Sequence, residues 1–207
     1  MTVYRIEPFS RGKGRVTVYL DDGFSFVLYK GELSQYDLFE GKELNEEDYN
    51  RILLEVIIPR AKKRGMNLLQ KMDRTEADVR GKLAEGGYPI EAIDASIDYL
   101  KSFHYIDDLR YAEDYIRFKS NNKSRKAIIQ KLNEKGIAKN IIDEAINNFY
   151  EEEGQELELI RKLMLKKCKD NISALEYSEK QKLFSYLYQK GFSIYDIEKV
   201  YNQCQSN

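Results

Sequence analysis

The side chains whose type and spacing could do chemistry in this chain are basic. They fall in three runs: Arg60, Lys62, Lys63 and Arg64; then Arg117, Lys119, Lys123, Arg125 and Lys126; then Arg161, Lys162, Lys166, Lys167 and Lys169. Guanidinium forks and ammonium groups grouped in this way suit phosphate or carboxylate oxygens, so the chemistry they suggest is anion recognition. Solvated helix faces paired with neighbouring acids would show the same runs, and the residues alone leave both readings open. Sixteen tyrosines add a second candidate, base stacking by Tyr105, Tyr111 or Tyr115. Tyr111 and Tyr115 are one helical turn apart, which fits a core face better.

Equipment for catalysis is sparse. The single histidine, His104, lies in Ser102-Phe103-His104-Tyr105-Ile106-Asp107 and would have to serve any Ser-His-Asp arrangement; no nucleophile-elbow glycines accompany it. Cys168 and Cys204 are the only cysteines, too few for a disulfide scaffold or a Cys/His zinc cluster. No glycine-rich phosphate loop is present. The expectation is a protein with no catalytic residues, metal or cofactor. With 34 basic and 35 acidic residues the net charge is −1, which gives no global attraction to nucleic acid. No apolar run approaches the roughly 18–20 residues of a membrane span, and Met1-Thr2-Val3-Tyr4-Arg5 lacks the apolar core of a signal peptide. A cytoplasmic setting without membrane attachment is expected.

The elements that must position the basic runs are marked by a phrase that occurs three times. It reads Lys82-Leu83-Ala84-Glu85-Gly86-Gly87-Tyr88, then Lys131-Leu132-Asn133-Glu134-Lys135-Gly136-Ile137, then Tyr186-Leu187-Tyr188-Gln189-Lys190-Gly191-Phe192. Val79/Leu83, Ile128/Leu132 and Leu183/Leu187 are i,i+4 pairs on one helical face. Each glycine sits where a helix ends in the left-handed conformation, with an apolar residue after it to fold back on the helix. The glycines are 49 and 55 residues apart, a period that predicts tandem helical repeats.

The fold class expected is mainly α: three tandem three-helix repeats in an elongated array behind a small β-hairpin module. The β-rich leader occupies 1–44, the first repeat with a lead-in helix 45–106, the second 107–153 and the third 154–207. In the leader, Arg15 to Leu20 and Phe24 to Tyr29 flank Asp21-Asp22-Gly23, a hairpin signal, with Val3 to Ile6 as a possible third strand. Leu33, Tyr36, Leu38 and Phe39 offer a seam to helices. The chain is acidic up to Pro59, with seven basic and eleven acidic residues. Asn45 should cap the lead-in helix; Pro59 either kinks or divides it or sits in a first helical turn, where proline is tolerated. Further caps are expected at Thr75 with Asp78, at Asp107 or Asp108, at Ser178 with Gln181 and at Ser193. Glu151-Glu152-Glu153-Gly154 should form a boundary, and an insertion through Asn171-Ile172-Ser173 accounts for the longer second spacing.

These residues resemble the RecX family of regulators of the RecA recombinase. The resemblance is carried by Arg74-Thr75-Glu76-Ala77-Asp78-Val79-Arg80-Gly81-Lys82-Leu83 with Gly87-Tyr88, by Tyr105-Ile106-Asp107-Asp108-Leu109-Arg110-Tyr111-Ala112, and by Leu132-Asn133-Glu134-Lys135-Gly136-Ile137. It runs from about residue 50 to the end. His104 and Ser124 stand where the family often has glycine and Leu109 where it often has glutamate, all at joints. The resemblance implies a non-enzymatic inhibitor that binds the RecA filament on single-stranded DNA along its groove, suppressing ATP hydrolysis and strand exchange. It implies RecA as partner, single- or double-stranded DNA as a further one, and a monomer. Arg80, in the family phrase, joins the basic runs as a contact candidate, while Arg74 reads as structural. A general nucleic-acid-binding module is the alternative.

Overall fold

The computed structural model describes residues 1–150, 154–168, 172 and 175–205. Residues 1–107 and 108–207 form two compact units.

In the first unit, β1 (Val3–Pro8), β2 (Arg15–Leu20) and β3 (Ser25–Tyr29) form an antiparallel sheet in that order. The loop between β2 and β3 closes on Gly23, at φ +86, whose N–H donates to the Leu20 carbonyl. Alternation along β2 sends Val16, Val18 and Leu20 inward. The hairpin and the third strand thus form as expected, and the short helix α1 (Lys30–Gln35) comes directly after them.

Asn45 caps α2 (Glu46–Ile52), its Oδ1 accepting from the Asp48 N–H at 2.7 Å. Of the two readings of Pro59, the first-turn position is the one the structure shows. A π turn over Leu53–Ile57 leads straight into α3 (Ile58–Leu69), with Pro59 in its first turn. Proline offers no N–H and its ring crowds the carbonyl one turn back; the wider π turn just before it accommodates both. Then come α4 (Glu76–Ala84), capped by Thr75, and α5 (Ile90–Ser102).

The leader and these helices share one core, in which Val18, Leu20, Phe26 and Leu28 pack with Ile52, Ile57, Leu83 and Ile97. Leu38 belongs to it, but Phe39 does not: it is 54% exposed, just past the point where the chain turns away at Asp37, φ +50.

The second unit holds two three-helix sets. The first is α6 (Asp108–Lys119), α7 (Arg125–Glu134) and α8 (Lys139–Phe149), around Ile116, Ile128, Leu132 and Ile146. The next is α9 (Gln155–Cys168), α10 (Tyr177–Gln189) and α11 (Ile194–Gln205), around Ile160, Leu187, Ile197 and Tyr201. Tyr111 and Tyr115 lie half-buried against the first of these cores, and Ser193 caps α11. The cap of α10 is not Ser178. The helix starts earlier, with the Glu176 N–H donating to the Glu179 carboxylate at 3.2 Å, so Ser178 already lies inside it. Of the expected joints, Glu151 to Glu153, Asn171 and Ser173 lie outside the described residues; Ile172 is buried in the third core.

The three glycine stops are Schellman motifs. Gly87, Gly136 and Gly191 have φ of +78, +75 and +93. Their N–H groups donate to the carbonyls of Ala84, Asn133 and Tyr188, and the next residues, Tyr88, Ile137 and Phe192, donate to Leu83, Leu132 and Leu187. A fourth motif ends α5 with His104 in the glycine position, at φ +55: Tyr105 donates to the Leu100 carbonyl and His104 to that of Lys101. A residue with a Cβ there costs about 1 kcal/mol relative to glycine.

Two of the stops also make room for neighbours. An added Cβ on Gly87 would lie 2.3 Å from Val27 of β3, and one on Gly191 would lie 2.6 Å from both Ser124 and Ala127 of α7. At the second place the Ser124 N–H donates to the Lys190 carbonyl, while the Ser124 hydroxyl accepts from Ala127 and caps α7.

Candidate functional site

The basic residues of α3 divide by helical phase. Arg60, Lys63, Arg64 and Asn67 fall at i, i+3, i+4 and i+7 and line one wall of a groove of about 540 Å³. The opposite wall is the loop between β1 and β2, bearing Arg11 and Lys13, with Arg15 at the start of β2; Lys82 of α4 and Glu85 and Tyr88 just past its end add to it. Lys62 falls on another face, its ammonium 4.7 Å from the centre of the Tyr99 ring. Arg60 pairs with Glu32 of α1 and stacks over Tyr29, 4.7 Å from guanidinium carbon to ring centre. Burial raises the Tyr88 phenol, partly offset by the charges of Arg60, Arg15 and Arg64, which line the same groove.

Arg80 stands apart from this groove. Its guanidinium joins Glu76 at 2.7 Å to Asp94, and Lys101 reaches Glu76 at 2.9 Å, tying α4 to α5. Burial opposes ionisation of Glu76, but the hydrogen bonds from Arg80 and Lys101 outweigh it and hold the carboxyl below its ordinary range. A carboxylate whose folded pKa is depressed stabilises the fold above its unfolded pKa, about 4.3, and the contribution is lost as pH falls through the folded value. Arg80→Ala is therefore expected to lower the unfolding free energy by about 1 kcal/mol near neutral pH and by much less at about pH 3, as read by urea titration at each pH. An equal deficit at both would refute the assignment. Arg74 has its Nε buried without a hydrogen-bond partner.

In the second unit the expected cations are brought together in two places. Lys119, Lys123 and Lys126 line a groove of about 690 Å³ with Lys131, Tyr115 and Tyr188. Lys131 there is held by Glu134 at 2.9 Å. A smaller groove of about 320 Å³ takes Lys123 and Arg125 with Lys162, Tyr150 and Glu156. Arg125 stacks over Tyr150, and its N–H donates to the Glu156 carboxylate at 3.0 Å; burial raises that carboxyl, partly countered by the N–H. Arg117 is a solvated i,i+3 partner of Asp114. Arg161 lies near Glu158, Lys166 is exposed, and Lys167 sits over Tyr186, so none of the three lines either groove. Lys169 lies outside the described residues.

Reasoning from sequence missed Arg11, Lys13, Arg15 and Lys82, because the leader is acidic as a whole. The alternation Arg11-Gly12-Lys13-Gly14-Arg15 between two strands is the signal that could have found three of them. Among the described residues no cluster of His, Cys, Asp and Glu could hold a metal ion, and no helix is long and apolar enough to cross a membrane. Cys168 and Cys204 are free thiols, both partly buried in the third core.

Three successive three-helix units, the first fused to a β leader, with lysine- and arginine-lined grooves, define a helical-repeat protein. Family profiles described as the first, second and third three-helix domains of RecX match residues 61–100, 107–146 and 153–201. The regulatory protein RecX of Clostridium acetobutylicum is 32% identical over 202 residues, 96% of this chain and 94% of that protein. That of Caldanaerobacter subterraneus subsp. tengcongensis is 31% identical over 186 residues, 89% and 91% of the two chains. A crystal structure of regulatory protein RecX superposes with a TM-score of 0.60 at 32% identity, covering 100% of this chain and 99% of the other. The structure of RecX from Lactobacillus salivarius gives 0.61 at 26% identity, covering 72% and 97%. The chain belongs to the RecX family.

Proposed function

We propose that this protein binds the RecA recombinase and its filaments on single-stranded DNA, and that it restrains RecA-dependent ATP hydrolysis and strand exchange. Support comes from family membership, since the relatives are regulatory proteins, and from the grooves, which present clustered cations to an anionic partner. The observation that carries the reading is the convergence of Lys119, Lys123 and Lys126 on one groove. Arg125 is not part of that trio, being engaged with Tyr150.

Titration into RecA with single-stranded DNA and ATP tests it: phosphate release falls as the protein is added. Lys119→Glu/Lys123→Glu/Lys126→Glu raises the concentration needed for half inhibition at least about tenfold, because three attractive charges become repulsive. No inhibition by the unaltered protein at saturation would overturn the reading. The same grooves suit a second reading, direct action on DNA. Binding to bare DNA with a steep salt dependence, and no effect on RecA, would favour it.

A further inference from the structure

The groove of the first unit carries more than the α3 run contributes. The geometry points to a phosphodiester-binding site made jointly by the β1–β2 loop, α3 and the end of α4, taking the backbone of a nucleic-acid strand. This deepens the second reading above, direct contact with DNA, and rests on it: it assigns that contact to a groove that includes the leader and needs no other protein.

The first observation is charge. Seven cations line the groove against one carboxylate, Glu85, in a protein whose net charge is −1. Lys13, Lys63 and Arg64 form no ion pair among the described residues, so their charge is uncommitted. Like charges gathered at this density repel, and a bound polyanion relieves the repulsion.

The second is preorganisation. Arg11 and Lys82 are both held on Glu85, at 3.1 and 3.0 Å. Arg15 folds across its own loop, donating to the Arg11 carbonyl and lying 4.7 Å over the Phe9 ring. Gly12 leaves room for this: a Cβ there would stand 2.5 Å from Arg15 Nε. Guanidinium groups fixed by stacking lose less freedom when they fork onto phosphate oxygens.

The third is a donor without a partner. Arg60 is 21% exposed and spends one terminal nitrogen on Glu32, while Nη1 is buried and has no hydrogen-bond partner. A buried donor left unmatched costs about 1–3 kcal/mol. The fold supplies no acceptor at this place, and Arg60 lines the groove, so an oxyanion bound there would supply one. The groove, at about 540 Å³, exceeds what one phosphate fills, and its cations sit on three separate elements, as a chain of phosphates requires.

The test uses the full chain without RecA. Binding of a fluorescent single-stranded oligonucleotide is measured by anisotropy over a range of salt, with pyrophosphate and polyglutamate as competitors. The variant Lys13→Ala/Lys63→Ala/Arg64→Ala removes only unpaired cations, and an unchanged thermal melt confirms its fold. Its affinity is expected to fall about tenfold or more, and the slope of log K against log salt to drop by about 0.7 per contact removed. Lys199→Ala, exposed on α11 and outside all three grooves, leaves both unchanged. Pyrophosphate competing with the strand, more effectively than polyglutamate at equal charge, supports phosphate recognition. Undiminished oligonucleotide affinity in the triple variant overturns the proposal, as does polyglutamate competing equally well, which would indicate an acidic protein surface. Inhibition of RecA, measured separately, stands or falls on its own.

Discussion

Gly87→Ala is expected to destabilise the first unit by about 3 kcal/mol, and Gly23→Ala by about 1. Both glycines hold left-handed backbone, φ +78 and +86, so both substitutions meet the strain of about 1 kcal/mol that a Cβ brings there. They differ in what surrounds them. At Gly23 nothing lies within 4 Å of the added carbon, whereas at Gly87 it would stand 2.3 Å from Val27 Cγ2 and 3.1 Å from the Phe9 ring. Overpacking of a tight site costs about 1–3 kcal/mol more. Val27 faces away from the inward pair Phe26 and Leu28, yet it is 7% exposed, so the sheet is covered at this point. Chemical denaturation of the two variants separates the contributions, and equal losses would show that Gly87 serves only its turn.

Deletion of residues 1–44 is expected to unfold the first unit rather than trim it. The leader buries Val3, Val18, Leu20, Phe26, Leu28, Leu38 and Leu44 in the same core as Ile57, Leu83 and Ile97. Each such side chain contributes about 1.5–3 kcal/mol on burial, so their loss together matches or exceeds the 5–15 kcal/mol or so by which a domain is stable. Hydrogen exchange reads the result: amides in α4 and α5 lose protection, while α6 to α8 keep theirs. Retained protection at Leu83 and Leu100 would refute the shared core. Loss of RecA inhibition in such a truncated chain would therefore report unfolding, so the substitutions in the first groove are the better probe of contact.

The features legible in the sequence are local ones. Schellman stops, the caps at Asn45, Thr75 and Ser193, and the β2–β3 turn each depend on a few consecutive residues. Pro59 leaves two readings open because proline rules allow either a break or a first-turn position, and nothing nearby in sequence announces a π turn. Ser178 misleads because serine is the better intrinsic cap, whereas Glu176 with Glu179 lets the helix start earlier. The groove of the first unit is half legible: the α3 run is visible, but its facing wall comes from a loop about fifty residues away in an acidic stretch. Arg60 shows the same limit, since its partner Glu32 lies in the leader. Arg80 resembles a contact residue because the family phrase contains it, and its acids on α4 and α5 emerge only when the helices pack.

The meeting of Gly191 with Ser124 and Ala127 has a consequence for how such a chain could have grown. The sequence repeats with a period of about fifty residues, as copying of a short ancestral segment would produce. Folding obeys a different division, because Asp108–Asn207 is one compact unit containing two copies. Each new copy would have had to bring a residue without a side chain at the joint and find a small cap on its neighbour to receive it. Serine at 124 meets that demand while also donating its amide to Lys190. If copying produced the repeat, a segment is what was copied, whereas the fit between segments is what the fold requires.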